Sequence, residues 1–360
     1  MMTKPIYLDF AATAPVLPEV QAVIAEALAR WANPSSVHAA GRAARAALEQ
    51  ARGDVADALG WRHEVIFTGS ATEALAIAWQ NSRSQKSPET CKYASAVEHT
   101  AVLRHAGAHV IAVDADGLVD PQRLPKAGLV AVQHVNNETG VIQPLAAIAA
   151  QVHAQGGLLL ADCAQSAGKL ALPDADLIAL AGHKIGAPPG IGALLVADLG
   201  MLAPAGGQER GYRPGTENLP YIQGLAAALK LDRGWLIEAA TLRDWWEMQW
   251  RELGGEVIGA AAPRVPTIGA YCLPGVNASM LLIRADAQGI GISAGSACSS
   301  GSIKPSHVMT AMGLSDAAAR EVFRVSIGRT TTRSDLEALL ALVRTIVAGR
   351  SPRVEARAGA

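Results

Sequence analysis

An α/β fold is predicted, with a mainly parallel central sheet, helices on both faces and a smaller α+β domain. Three observations carry this. From about residue 60 to 200, short apolar runs alternate with alanine-rich helical stretches. The helical stretches carry their own start and stop residues. A chain of 360 residues also has room for one large domain and a smaller one.

In chain order the strand-like runs are EVIFT, CKYAS, HVIAVD, LVAVQHV, GLLLAD, DLIAL and GALLVA, several apolar throughout, as expected of strands covered on both faces. Between them, ATEALAIAWQ begins after Gly69 and Ser70, while PLAAIAAQVHAQGG begins at Pro144 and stops at paired glycines. The segment from Ala205 to Asn218, AGGQERGYRPGTEN, reads as a long irregular loop, a feature usually functional or disordered. LDRGWLIEAATLRDWWEMQWREL then reads as helix, its tryptophans expected to pack between domains. The predicted organisation is an N-terminal segment (1–15), a large domain (16–250), a small C-terminal domain carrying the Cys298 loop (251–350) and a frayed tail (351–360).

Lys and Arg number 31 against 32 Asp and Glu, a net charge of -1 with no basic block, so neither nucleic acid nor an anionic membrane is an expected partner. No apolar run approaches the roughly 18 residues of a membrane span. The opening MMTKPIYLDF lacks the pattern of a signal peptide, and a cytoplasmic location is expected. The cysteines at 91, 163, 272 and 298 show neither CxxC pairs nor zinc-type clustering, so no metal site is expected. Cys91 and Cys272, in strand-like runs, read as buried small hydrophobes. Cys163 reads as filler, opposite in facing to Asp162. Cys298 differs. Its setting, SAGSACSSGSIKPSHVM, gives a thiol little to pack against and a backbone with wide freedom, where a surface loop or a reactive thiolate are both open readings.

Ligands of such sheets gather at the carboxyl ends of strands. There GSATE offers helix N–H groups with Ser70 and Thr72 as hydroxyl donors, which suits a phosphate, although plain helix capping reads the same way. His99 follows CKYAS, and a packed or solvated imidazole is the plain alternative. Asp162 ends an apolar strand, where a carboxylate needs a cation. Lys184 stands in the glycine-bounded turn GHKIG. A lysine carrying a pyridoxal phosphate Schiff base, an aspartate facing the pyridine nitrogen and a phosphate cup account for all of these together.

The sequence resembles the NifS/IscS-type cysteine desulfurases of the class V aminotransferase branch of fold-type I pyridoxal phosphate enzymes. The likeness runs through YLDFAATAP, NPSSVHAAGR, FTGSATEALAI, EHTAV, HVNNETGVIQP, DCAQSAGK, GHKIGAPPGIGAL, GGQERGYRPGTEN, SAGSACSSGS and FRVSIGRTT, nearly the whole chain in the family's order. It implies a homodimer that takes sulfur from L-cysteine, gives L-alanine and holds the sulfur as a persulfide on Cys298. The acceptor would be a protein such as an iron–sulfur scaffold or a transfer RNA thiolation enzyme, with transient contact between Cys298 and a cluster allowed. By the same resemblance Lys184 binds the cofactor and moves the Cα proton, Asp162 pairs with the pyridine nitrogen, Gln165 approaches the phenolic oxygen, and His99 stacks on the ring as acid/base. Ala71, Thr72 and His183 hold the phosphate, Thr216 reaches the neighbouring subunit's phosphate, and Asn137 and Arg324 hold the substrate carboxylate.

The Cys298 loop has the length of the family's long-loop branch, and its glycines and serines suit a thiol that must reach substrate and then acceptor. Two positions depart from the pattern: Ala181 replaces the usual serine before GHK, and ALAIA stands where the helix after ATE commonly has an asparagine. A selenocysteine lyase or another class V reaction is the second reading, and a non-catalytic sulfur-relay scaffold the third. Lys184, Asp162 and His99 speak against the scaffold.

Overall fold

The computed structural model describes residues 5–83, 91–106, 109–126, 128–294 and 305–349; Cys298 lies outside them. The chain opens with β1 (Ile6–Tyr7), α1 (Pro18–Ala29) and α2 (Ala39–Leu59). It continues through β2 (Glu64–Thr68), α3 (Ala71–Asn81), β3 (Lys92–Ser95), α4 (Thr100–Ala106), β4 (Val110–Ile111), β5 (Leu129–Ala131), α5 (Leu145–Ala154), β6 (Leu158–Asp162), β7 (Leu177–Ala181) and β8 (Gly192–Val196). Next come α6 (Leu219–Lys230), α7 (Trp235–Glu252), β9 (Glu256–Ile258), β10 (Ile268–Cys272), α8 (Ala278–Asp286) and β11 (Ile290–Gly291). The last elements are α9 (His307–Ala311), α10 (Asp316–Ala319), β12 (Val322–Ser326) and α11 (Arg333–Ala348).

Among the described residues, seven strands form a central sheet in the order β2-β8-β7-β6-β5-β3-β4. Only β8 runs antiparallel to its neighbours; the other pairings are parallel. Alternating side chains build a core on each face. Val65, Phe67, Val130, Leu159 and Leu180 pack with Leu48 and Val55 of α2, Ile148 of α5 and Leu225 of α6. Ile66, Leu129, Leu160, Leu177 and Leu194 pack on the other side with Leu75 and Trp79 of α3 and Val102 of α4. Every position of β6, β7 and β8 is buried, which is why these strands read as unbroken apolar runs.

A second sheet, β12-β10-β9, is antiparallel. Trp246 and Trp250 of α7 sit against Tyr271 and Phe323 of this sheet, with 5.2 Å between the Trp250 and Phe323 ring centres. Leu336, Leu339 and Val343 of α11 complete that core. The N-terminal segment ties the two parts together. β1 pairs in parallel with β11, Asp9 bridges Ser326 at the end of β12, and Ala14 N donates to the carbonyl of His183.

Three details differ from the sequence reading. HVIAVD and LVAVQHV shorten to β4 and β5: past Ile111, Val113 bridges to Val119, and past Ala131 the backbone still follows β6, with Val132 N donating to Leu160 O and His134 N to Asp162 O, until Val135 bridges to Ile142. Cys91, expected to be buried, is exposed, since it precedes β3 and has no inward-facing position; Cys272 is buried as expected. The loop after β8 is firmly held: buried Glu209 accepts from Arg52 at 2.7 Å and from Phe67 N at 2.8 Å.

Candidate active site

The carboxyl ends of the parallel strands open onto a cavity of about 460 Å³, lined by Ala71, Thr72, His99, Asn137, Asp162, Gln165, His183, Lys184 and Arg324. These come from five strand ends of the central sheet and from β12, so residues far apart in sequence meet through topology alone. Thr216 does not line this cavity and is exposed.

The phosphate-cup residues lie where β2 turns into α3. Ser70 caps that helix, its Oγ accepting from Glu73 N at 3.1 Å, which leaves the first N–H groups of α3 facing the cavity with the Thr72 hydroxyl beside them. His183 Nδ1 lies 3.2 Å from Thr13 Oγ1, and burial followed by the nearby Lys184 charge pulls its pKa down to about 4. The ring is therefore neutral near pH 7. Buried Ala181 also lines the cavity and brings no hydroxyl.

Asp162 ends β6 with its carboxylate toward the cavity, whereas Cys163 joins the opposite core. Its side chain accepts from Ala164 N at 2.9 Å, and burial pushes its pKa up to about 6, against that hydrogen bond and the Lys184 charge. A carboxylate so placed is short of a cation. Lys184 Nζ donates to the carbonyls of Ala11 and Ala12, the latter at 2.8 Å. Burial and Arg324 bring its pKa down to about 8, with Asp9 and Asp162 pulling the other way. A useful fraction of free amine follows near neutral pH.

His99 Nδ1 accepts from Ala101 N at 3.1 Å, which puts the proton of the neutral ring on Nε2; burial, Lys184, Arg104 and His307 all lower its pKa. Gln165 Nε2 donates to Ala11 O at 2.9 Å, while its Oε1 is buried without a partner among the described residues. Arg324 donates to Asn137 O and to Asp9 Oδ1, each at 2.7 Å.

Asp9 and His307 are among the lining residues that were not assigned from the sequence. Asp9 lies inside the quoted YLDF and pairs with Arg324; no signal in its neighbourhood separated it from an ordinary strand-end carboxylate. His307 contacts the carbonyl of Glu98 at 2.9 Å and faces His99. Only the fold brings it there.

The donor set fits pyridoxal phosphate. A helix N-terminus with a hydroxyl and a neutral histidine suits a phosphate, the cation-seeking Asp162 suits a protonated ring nitrogen, the orphaned Gln165 Oε1 marks a polar gap, and Lys184 supplies the amine.

Residues 6–339 match the family model described as aminotransferase class-V. The chain belongs to the class-V aminotransferase family. This class-V chain is 35% identical to the cysteine desulfurase of Gluconacetobacter diazotrophicus over 95% of its own length and 93% of that protein's. It is 36% identical to the IscS-like cysteine desulfurase of Mycobacterium tuberculosis, over 98% and 99% of the two chains. Among solved structures, a NifS-like protein from Rickettsia africae ESF-5 superposes with a TM-score of 0.87 at 28% identity, covering 96% of this chain and 100% of that one. SspA in complex with cysteine gives 0.78 at 30%, covering 91% and 99%. Within the class-V aminotransferases, then, the chain falls with the pyridoxal phosphate-dependent cysteine desulfurases.

Proposed function

We propose that this cysteine desulfurase removes sulfur from L-cysteine, leaves L-alanine, and carries the sulfur as a persulfide on Cys298 for delivery to an acceptor protein. The observation that carries the reading is the meeting of Lys184, Asp162 and Arg324 in one cavity: an amine of lowered basicity, a carboxylate in need of a cation, and a carboxylate-binding guanidinium. Ala71, Thr72 and His183 would hold the cofactor phosphate, and Asp162 and Gln165 its ring. Bound there, pyridoxal phosphate supplies an electron sink that weakens bonds at the substrate's Cα and Cβ.

The chain's own residues do the rest. Arg324 and Asn137 hold the α-carboxylate and so fix which bond lies over the ring. Lys184, its proton made easier to lose by burial and Arg324, can take and return the proton at Cα. His99 holds a proton on Nε2 for the sulfur side of the substrate. The thiolate of Cys298 attacks the substrate sulfur: the Cβ–S bond breaks, an S–S bond forms, Cβ gains a proton, and the products are alanine and a persulfide, with no outside oxidant. Cys298 lies outside the described residues, and its role rests on the resemblance of SAGSACSSGS to the family's motif.

The test is mass spectrometry after brief exposure to L-cysteine without reductant. Wild-type protein should gain about 32 Da per sulfur on the Cys298 peptide, Cys298→Ser should release alanine no faster than background, and Lys184→Ala should lose both cofactor attachment and turnover. Label on Cys91, Cys163 or Cys272 would overturn the assignment. The acceptor is expected to be an iron–sulfur scaffold or a transfer RNA thiolation enzyme, in the cytoplasm, found by co-purification of the persulfide-bearing protein.

A further inference from the structure

We infer that Asp9 is a positioning residue of the substrate site, which with the Asn137 carbonyl holds the Arg324 guanidinium by its two terminal nitrogens and so aims the remaining donors at an α-carboxylate. The inference rests on the reading of Arg324 as carboxylate anchor.

Arg324 projects from β12, whose neighbours are β10 on one side and Ser293 on the other. Its guanidinium has five N–H donors. One terminal nitrogen donates to Asp9 Oδ1 and the other to Asn137 O, each at 2.7 Å, while Nε is buried without a partner among the described residues. The fork is therefore gripped at both tips, and each tip keeps a second hydrogen. Asp9 itself is fixed by the fold, because its backbone bridges Ser326 two residues beyond Arg324 on β12, and its carbonyl accepts from Tyr7 Oη at 3.0 Å. Both charged side chains are largely withdrawn from solvent, at 10% and 21% exposure, and both line the cavity with Lys184.

The charges give the arrangement its purpose. Arg324 and Lys184 are like charges close enough to disfavour one another, and Asp9 is a carboxylate that offsets both. Without it the guanidinium would keep one anchor and be pushed from Lys184, and a long side chain with rotamers to spare would lose the bidentate geometry a carboxylate demands.

The holoenzyme tests this with two amine probes: L-alanine, which has the α-carboxylate, and cysteamine, which lacks it. Binding is read from the cofactor absorption band, alongside KM and kcat for L-cysteine. Asp9→Ala should weaken L-alanine and raise KM about tenfold, with kcat within about twofold and cysteamine binding unchanged. Asp9→Asn, which keeps the acceptor oxygen and the fold, should do the same by about threefold. Adding Asp9→Ala to Arg324→Ala should cost nothing further. Equal weakening of both probes, or of neither, would overturn the role of Asp9 while leaving Arg324 in place. If Arg324→Ala itself fails to separate L-alanine from cysteamine, the anchor reading falls first, and the two failures are distinguishable.

Discussion

Lys184 shows how far a single residue departs from its free chemistry. Burial and the Arg324 charge both disfavour the ammonium, so its proton leaves at lower pH than a solvated lysine's. In cofactor-free protein, carbamylation of Lys184 by cyanate, followed by peptide mass spectrometry, should rise with a midpoint near pH 8, against about 10.4 for a free lysine. Arg324→Gln should move that midpoint up. Ala181 makes the opposite kind of case, a missing group. Its side chain lines the cavity, and Ala181→Ser should slow cofactor loss on dialysis by about tenfold, the worth of one hydrogen bond to a charged acceptor. Ala181 was legible in the motif, as were Lys184 and Asp162, because each lies at or just past the carboxyl end of a strand. Asp9 and His307 were not, since a carboxylate and an imidazole acquire their roles only from what the fold sets against them.

The loop from Ala205 to Asn218 reads from its glycines as irregular, and its restraint is visible only at the level of elements. Glu209 reaches between α2 and β2, its carboxylate shared by Arg52 and Phe67 N and wholly buried. Removing one partner of such a pair leaves an uncompensated buried charge. Glu209→Ala should cost about 3 to 5 kcal/mol in urea unfolding, where an exposed ion pair would cost under about 1. Because Phe67 leads into Gly69 and Ser70, the variant should also retain cofactor less well. The strands β6, β7 and β8 were readable as apolar runs covered on both faces. The true ends of β4 and β5 were not, because Val113 and Val135 keep the apolar character of the strands they follow while bridging to Val119 and Ile142 instead.

At the scale of the whole molecule, the exposed Thr216 and the expectation that it reaches a neighbouring subunit's phosphate make a homodimer with shared sites the expected assembly. The chain also exposes Leu28, Trp31 and Val37 at 58%, 87% and 88%, around the turn from α1 to α2, apolar surface a second copy would cover. Sedimentation should show a dimer at assay concentration. Mixing Lys184→Ala with Thr216→Ala subunits should give activity above that of either homodimer, since one site of the mixed dimer then holds both native residues; a fully active monomer would rule this out. Readable from the chain alone were the α/β class, the helix starts at Ser70 and Pro144, and the lysine and strand-end carboxylate that the fold brings into the cavity, Lys184 and Asp162. These are local properties of periodicity, capping and side-chain type. The fold was needed to show that Asp9 grips Arg324 across more than three hundred residues of chain and that Lys184 is held by the carbonyls of Ala11 and Ala12. Each depends on two distant segments meeting and on the water excluded where they meet, which no window of sequence contains.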